Sequence, residues 1–326
     1  MNIKTTIMAA ALTLSTAIPA FAQELKFASF TPPFHTVTAS VIDKLAADVS
    51  AATNGALTVR AFHGGELGAG PVEQYVRAVQ GVAEITWGLP GYTSSQFQKT
   101  MIVELPGVVP EGKTGYDSIW DAYDAELAGE FPATVPLALW TSEPNIMIMK
   151  DKVIRTPADL AGLKIRVAGA TAAEVATALG ATPVQMPINQ VYNALQTGLI
   201  DGVFTGSSTL SDFKLDEVAS SYTLGAPLGR LAFYVVMNEA AYNGLSADAR
   251  AALDAATGRG LSQSAEEAWN AAGIAAVAAA RETGDNTFVD LDEAGAQAFA
   301  DAVSGVTAAY VASVGGEAAL AAMQAN

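Results

Sequence analysis

Leu163-Lys164-Ile165-Arg166-Val167, followed by Gly169-Ala170-Thr171 and a run of helix formers over 172–179, decides the fold class. A short apolar strand closes on a turn of small residues that opens a helix, the junction from which α/β domains are assembled. Upstream, Thr156-Pro157-Ala158-Asp159-Leu160-Ala161-Gly162 reads as one or two helical turns, with Thr156 as cap, Pro157 in the first helical position and Gly162 as terminator. Downstream, Gly180-Ala181-Thr182-Pro183 breaks the chain before a strand at Val184-Gln185-Met186 and a helix over 189–196.

The same alternation fills the beginning of the chain. Leu25-Lys26-Phe27-Ala28 is a strand that runs into the Pro-fixed loop Thr31-Pro32-Pro33-Phe34-His35. Val37, Val41, Leu45 and Val49 then fall on one face of a helix that Asn54-Gly55 ends. A strand over 57–62 leads to the glycine-rich stretch 64–70 and a helix starting near Pro71. An internal echo links this half to the next. Ala78-Val79-Gln80-Gly81-Val82-Ala83-Glu84-Ile85 and Ala194-Leu195-Gln196-Thr197-Gly198-Leu199-Ile200-Asp201-Gly202-Val203 each end a helix on a glycine placed as a left-handed cap. In each, an acidic residue then leads into an apolar strand.

Two lobes of similar construction follow from the echo, and the cleft between lobes is where small ligands bind. Three prolines over 132–144 mark a change of lobe between strands at 137–140 and 145–149. The expected division is 23–144 plus about 232–270 for one lobe, and 145–231 plus about 271–326 for the other. From Ser246 an alanine-rich helical region runs to about Thr283, and another begins at Asp292. Unbroken, the first would reach ~57 Å, so it either kinks near Gly258 and Gly260 or crosses both lobes.

The first 22 residues read as a cleavable export signal: Lys4 is the basic start, 7–18 the apolar stretch, and Ala20-Phe21-Ala22 the small-x-small end. Cleavage is expected after Ala22, giving an exported, periplasmic product. With 17 Lys and Arg against 33 Asp and Glu, the net charge of −16 offers little basic surface to phosphates and argues against nucleic acid. The absence of Cys excludes thiol nucleophiles, thiolate metal sites and redox pairs, and two His leave little for hydrolytic catalysis. No cofactor is expected. The 64–70 loop lacks the Lys-Ser/Thr ending of a P-loop and the spacing of a dinucleotide site.

Arg166 is the first candidate for chemistry. A guanidinium at the carboxyl end of a parallel strand, facing a cleft, grips a carboxylate with two charge-assisted hydrogen bonds; the competing reading is a structural Arg with an acidic neighbour. Position alone leaves both open. Trp87 and Phe204 stand just beyond the two echoed turns, where large rings wall an apolar pocket. Phe34, His35, Trp140 and Glu66 are further candidates at loops and strand ends. Asn145, Gln185, Asn189 and Thr205 complete the set around the proposed cleft.

The block Ile154-Arg155-Thr156-Pro157-Ala158-Asp159-Leu160-Ala161-Gly162-Leu163-Lys164-Ile165-Arg166-Val167, with Leu179-Gly180-Ala181-Thr182-Pro183-Val184, Val191-Tyr192-Asn193-Ala194-Leu195-Gln196-Thr197-Gly198 and Asp201-Gly202, closely resembles the solute-binding subunit of tripartite ATP-independent periplasmic (TRAP) transporters. The resemblance spans essentially the whole chain after the signal. It implies two α/β lobes closing on an organic acid and a long helix bracing both. It also implies delivery of the ligand to a membrane permease driven by an ion gradient, and a role for Arg166 as the carboxylate anchor. A non-enzymatic, monomeric receptor is the expectation.

Two departures bear on the ligand. Many sialate- and dicarboxylate-type relatives follow the Asp-Gly pair with Gln-Glu-Asn-Pro, whereas Val203-Phe204-Thr205-Gly206 stands here, and a second family arginine aligns with Pro144. A pocket with one fixed cation and several rings suits a monocarboxylate with an apolar or aromatic body. A binding protein of an ATP-driven importer and a ligand-sensing receptor subunit are the alternatives.

Overall fold

The computed structural model describes residues 23–325; the export-signal reading of 1–22 lies outside the described residues. Its strands are β1 (Gln23–Ala28), β2 (Leu57–Phe62), β3 (Ile85–Gly88), β4 (Thr134–Thr141), β5 (Asn145–Met149), β6 (Lys164–Val167), β7 (Thr182–Gln185), β8 (Gly202–Gly206), β9 (Ser221–Leu224), β10 (Ala232–Asn238) and β11 (Thr287–Asp290). Helices α1 (Lys44–Ala52), α2 (Gln74–Val79), α3 (Gly115–Ala122), α4 (Ala170–Ala178), α5 (Val191–Thr197) and α6 (Thr209–Asp212) lie among them. Then come α7 (Glu239–Asn243), α8 (Ala247–Ala255), α9 (Arg259–Glu282), α10 (Glu293–Val303), α11 (Val306–Val314) and α12 (Glu317–Gln324).

The strands form two mixed sheets, in the orders β2-β1-β3-β10-β4 and β11-β9-β5-β8-β6-β7. The α/β, two-lobed architecture read from the sequence is the one observed. Each sheet is parallel apart from one strand, β10 in the first and β5 in the second, which runs against its neighbours. The chain passes between lobes from β4 to β5 and back from β9 to β10. These two passages are tied to each other: the Ser142 N–H donates to the Leu231 carbonyl at 2.8 Å and the Asn145 N–H to the Gly229 carbonyl at 2.9 Å. Gly229 has φ +75° and packs so closely that a β-carbon would sit 1.9 Å from the Glu104 carbonyl oxygen, so this passage admits no side chain.

The alanine-rich region resolves into α8 and α9, broken at Gly258 in the left-handed half of the map (φ +70°), and α9 also crosses both lobes. Its 24 residues span ~36 Å. At one end Leu261, Ala265 and Trp269 enter the core of the first lobe; at the other Ala276 and Ala280 enter that of the second. Two buried polar residues are among those that tie α9 to the first lobe. Ser262 accepts the Leu139 N–H and the Trp120 Nε1–H, each at 2.9 Å. Glu266 accepts N–H groups from Gly115, Tyr116 and Thr141 at 2.7 to 3.0 Å, and these bonds partly offset the burial that pushes its carboxyl upward.

One boundary needs correction. The sequence places the C-terminal stretch to 326 in the second lobe, but of its three last helices α10 packs there fully, through Phe299 and Val303, and α11 only along the side that carries Val306. Val311, Ala319 and Met323 of α11 and α12 join the first lobe's core beside Ile119 and Ile102. The apolar residues of α12, Ala319 and Met323, lie one helical turn apart and make a narrow stripe that α3 covers.

Candidate functional site

The two lobes touch across a cleft. The Ala170 N–H of the second lobe donates to Ser94 Oγ of the first at 3.3 Å, and the Ile188 N–H to the Tyr92 hydroxyl at 3.0 Å. Gly91 and Gly169 meet backbone to backbone, close enough that a β-carbon on Gly169 would lie 2.6 Å from the Gly91 Cα. Between the lobes, beside these contacts, lies a cavity lined from both sides, with Tyr92 and Ile188 among its residues.

Arg166 lies in the wall of that cavity. It sits on β6 opposite Val203 of β8, flanked by the buried Ile165 and Val167, and is 1% exposed. Its Nε–H donates to the Met186 carbonyl at 2.9 Å and its Nη2–H to the Tyr92 hydroxyl at 3.4 Å. No carboxylate among the described residues lies within 4.0 Å of it. Burial lowers its pKa from the ordinary guanidinium value, with Tyr92 opposing, and a guanidinium remains charged at physiological pH. A buried cation without a counter-charge is costly unless an anion joins it. The Tyr92 oxygen already accepts two N–H donors, so its own proton is available to an acceptor in the cavity.

Rings from the first lobe make the opposite wall. Trp87 stacks on Phe30 at a centroid distance of 4.5 Å and donates its Nε1–H to Ser29 Oγ at 3.0 Å. Phe233 and Trp269 continue the surface, 5.3 Å apart. His35 joins it, its ring 5.4 Å from Trp87 and 5.6 Å from Trp269. Burial lowers the His35 pKa to about 3, so its imidazole is neutral. The second lobe adds Thr205, Thr209 and Asp212.

Of the candidates read from sequence, the cavity brings together Arg166, Trp87, His35 and Thr205. The others stand elsewhere. Phe34 is 65% exposed and points to solvent, where the two prolines before it turn the chain. Phe204 is fully buried on the far face of β8, in the core with Met147, Met149 and Phe299, because successive side chains of a strand alternate faces and Thr205 holds the cavity side. Trp140 is buried one layer behind the wall, stacked on Phe233 at 5.3 Å. Asn145 is buried at the lobe passage, donating weakly to the Leu228 carbonyl at 3.4 Å. Glu66, Gln185 and Asn189 are exposed and line no part of the cavity. Tyr92, Asp212 and Trp269 were missed. Asp212 lies after an undistinguished Ser-Ser-Thr run, and Trp269 reads as a helix core residue, which it also is.

Comparison with known proteins agrees with this architecture. The model of the bacterial extracellular solute-binding protein family 7, DctP, matches residues 27–313. The C4-dicarboxylate-binding periplasmic protein DctP of Rhodobacter capsulatus is 27% identical over 257 residues, 76% of this chain and 75% of its own length. Among solved structures, a TRAP solute-binding protein from Rhodoferax ferrireducens in complex with copurified benzoate superposes with a TM-score of 0.87 at 29% identity, covering 92% of this chain and 96% of that one. A second, from Bordetella bronchiseptica with bound (R)- and (S)-mandelate, has a TM-score of 0.83 at 30% identity, covering 92% and 97%. The family binds solutes and is not a family of enzymes. This chain therefore belongs to the bacterial extracellular solute-binding protein family 7, the solute-binding subunits of TRAP transporters.

Proposed function

We propose that this receptor holds a small monocarboxylate with an aromatic body, its carboxylate on Arg166 and its ring between the rings of the first lobe. The observation that carries the reading is the Arg166 guanidinium, buried with no acidic partner and leaving Nη hydrogens and the Tyr92 hydroxyl proton for an anion. Its Nε is committed to a carbonyl, so the carboxylate meets the terminal nitrogens, and Tyr92 adds a third donor. The ring wall of Trp87, Phe30, Phe233 and Trp269 offers stacking and edge contacts.

A dicarboxylate fits less well. The position of a second family arginine is Pro144, outside the cavity lining, and Asp212, the one acid among the described lining residues, repels a second carboxylate. The benzoate and mandelate bound by the two relatives above are aromatic monocarboxylates, in keeping with this choice. Closure excludes water from the Arg166 pair and strengthens it, and the closed form is handed to the membrane permease of the transporter. The chain acts as a periplasmic monomer after cleavage behind Ala22. A sensing role would use the same site with a different partner.

Calorimetric titration with benzoate and phenylacetate, against their neutral amides, tests the reading. The acids are expected to bind and the amides not, with affinity falling at least ~100-fold in Arg166→Ala. Equal binding of acid and amide, or an unchanged affinity in the variant, would make Arg166 structural.

A further inference from the structure

The cavity holds a second polar device, remote in sequence from Arg166. Asp212 ends α6 in the second lobe and is 8% exposed. Its Oδ1 accepts the Thr36 N–H of the first lobe at 3.1 Å, which fixes the carboxylate plane across the cleft. Among the described residues no hydrogen bond reaches its Oδ2; the Thr36 side chain also neighbours the carboxylate, and His35 Nε2 lies 3.6 Å away. That gap is too long for a direct bond. The His35 Nδ1 accepts the Val37 N–H at 3.1 Å, which assigns the ring proton to Nε2 and points a donor toward Asp212. An acceptor and a donor thus stand side by side in the cavity lining, 3.6 Å apart, close enough for one ligand oxygen beside them to reach both. Nearby in its lining, Thr205, 1% exposed, carries a hydroxyl with no partner.

We infer that Asp212 and His35 form a hydroxyl-reading subsite, so that the ligand is a hydroxylated aromatic monocarboxylate whose hydroxyl donates to Asp212 Oδ2 and accepts from His35 Nε2. This inference rests on the carboxylate reading of Arg166. A hydroxyl is the group that satisfies both partners at once, because it is donor and acceptor in one atom. An ammonium satisfies Asp212 but points its hydrogens at the His35 N–H. A methoxy or carbonyl oxygen satisfies His35 and leaves Asp212 buried without a donor, and a second carboxylate meets Asp212 charge to charge. Burial raises the Asp212 carboxyl to about 6 and lowers the His35 ring to about 3, so near neutral pH the acid is ionised and the ring neutral, the states this recognition requires. Discrimination by a built donor-acceptor pair is steep, because the analogue lacking the hydroxyl leaves buried polar atoms unpaired.

The test is titration of the wild-type protein with benzoate and phenylacetate, their three ring-hydroxylated isomers, and the matching methoxy, aminomethyl and second-carboxyl derivatives, repeated in Asp212→Ala and Asp212→Asn. The readout is the affinity of each derivative relative to its parent acid within the same protein. One hydroxyl isomer is expected to bind at least ~10-fold tighter than its parent in the wild type, with that ratio falling to within about twofold of unity in both variants. A wild-type ratio near unity for every isomer overturns the inference, as does a ratio retained in the variants. Preference for an aminomethyl isomer overturns it in favour of an ammonium. The wild-type series decides alone if the variants lose their fold. Failure of the underlying carboxylate reading looks different: the parent acids themselves then fail to bind, or bind equally to Arg166→Ala, and the hydroxyl subsite falls with it.

Discussion

The two lobes build the same corner twice and then use it differently. After α2 and after α5 the chain turns through a left-handed glycine, Gly81 at φ 67° and Gly198 at φ 75°. An acid follows in each lobe and binds the backbone of the adjacent parallel strand. Glu84 Oε2 accepts the Lys26 N–H and Asp201 Oδ2 accepts the Lys164 N–H, each at 2.8 Å. Three residues beyond these acids stand Trp87 and Phe204, and here the likeness ends. Trp87 turns into the cleft, whereas Phe204 turns away into its own core and leaves the cleft to Thr205. The corner fixes where the strand enters the sheet. Which face of the sheet fronts the partner lobe fixes whether an odd or an even residue meets the ligand. The result is a division of labour in which the first lobe supplies most of the rings, and the second supplies Arg166, Thr205 and Asp212 with one ring, Phe213.

The sharpest way to break this comparison is to delete both rings. Trp87→Ala and Phe204→Ala should each cost ~3 to 5 kcal/mol of stability in denaturant unfolding, since both side chains are fully buried. Affinity relative to the stability loss separates them. Trp87→Ala should also weaken an aromatic acid at least ~10-fold, while Phe204→Leu should leave its affinity within about twofold of wild type. A large affinity loss in Phe204→Leu would mean that the far face of β8 shapes the site after all.

Next in size is a pH effect that belongs to the first lobe. His35 is lowered to about 3 by burial, so the unfolded chain takes up a proton below about pH 6.5 that the folded chain refuses until about pH 3. This group's contribution is therefore present above pH 6.5 and is lost as pH falls, at ~1.4 kcal/mol per pH unit. Asp212, raised to about 6, works in the opposite sense, its fold-destabilising charge disappearing between about pH 6 and 4. His35→Asn, which keeps an acceptor for the Val37 N–H, should therefore gain on wild type in melting temperature as pH drops from 6.5 to 4. A constant difference across that range would show that His35 is protonated in the fold.

Arg166→Met addresses the second lobe's cation. Replacing a buried charge that has no acidic partner among the described residues with an apolar chain of similar length should keep or raise the ligand-free stability, by up to ~2 kcal/mol, while abolishing acid binding. A clear loss of ligand-free stability would reveal a structural Arg. The smallest effect tests the echo itself. Glu84→Ala and Asp201→Ala should each cost about 1 kcal/mol, and by similar amounts, because each removes one carboxylate acceptor from one strand N–H. Unequal losses would show that the two corners are alike in geometry and not in energy.

The strand-helix alternation, the echoed corners and most caps are legible in the sequence because they are written locally. Thr156 and Asp159 do form a reciprocal cap, and Ser246 and Asp292 accept the N–H groups of Ala249 and Gly295. Arg166 and Trp87 are legible for the same reason, each being one conspicuous residue at a strand end. Asp212 and Tyr92 are not. Their roles arise from contacts with Thr36 and Ile188, partners on the opposite lobe and far away along the chain, and no local pattern announces such a meeting. Phe204 shows the limit from the other side: its position was read correctly as a strand, but the parity of a four- or five-residue buried strand carries no alternation from which to choose a face.

The return of α11 and α12 to the first lobe has a practical side. The described chain begins on β1 and finishes on α12, both in that lobe, and visits the second lobe twice between, once from β5 to β9 and again from the far end of α9 to α10. Two dyes placed at Gln23 and Gln324, or two handles pulling there, sit on the same lobe and do not report the separation of the two. An optical reporter of solute capture on this scaffold therefore needs one label near α12 and the other on α5 of the second lobe, across the opening rather than at the ends of the chain.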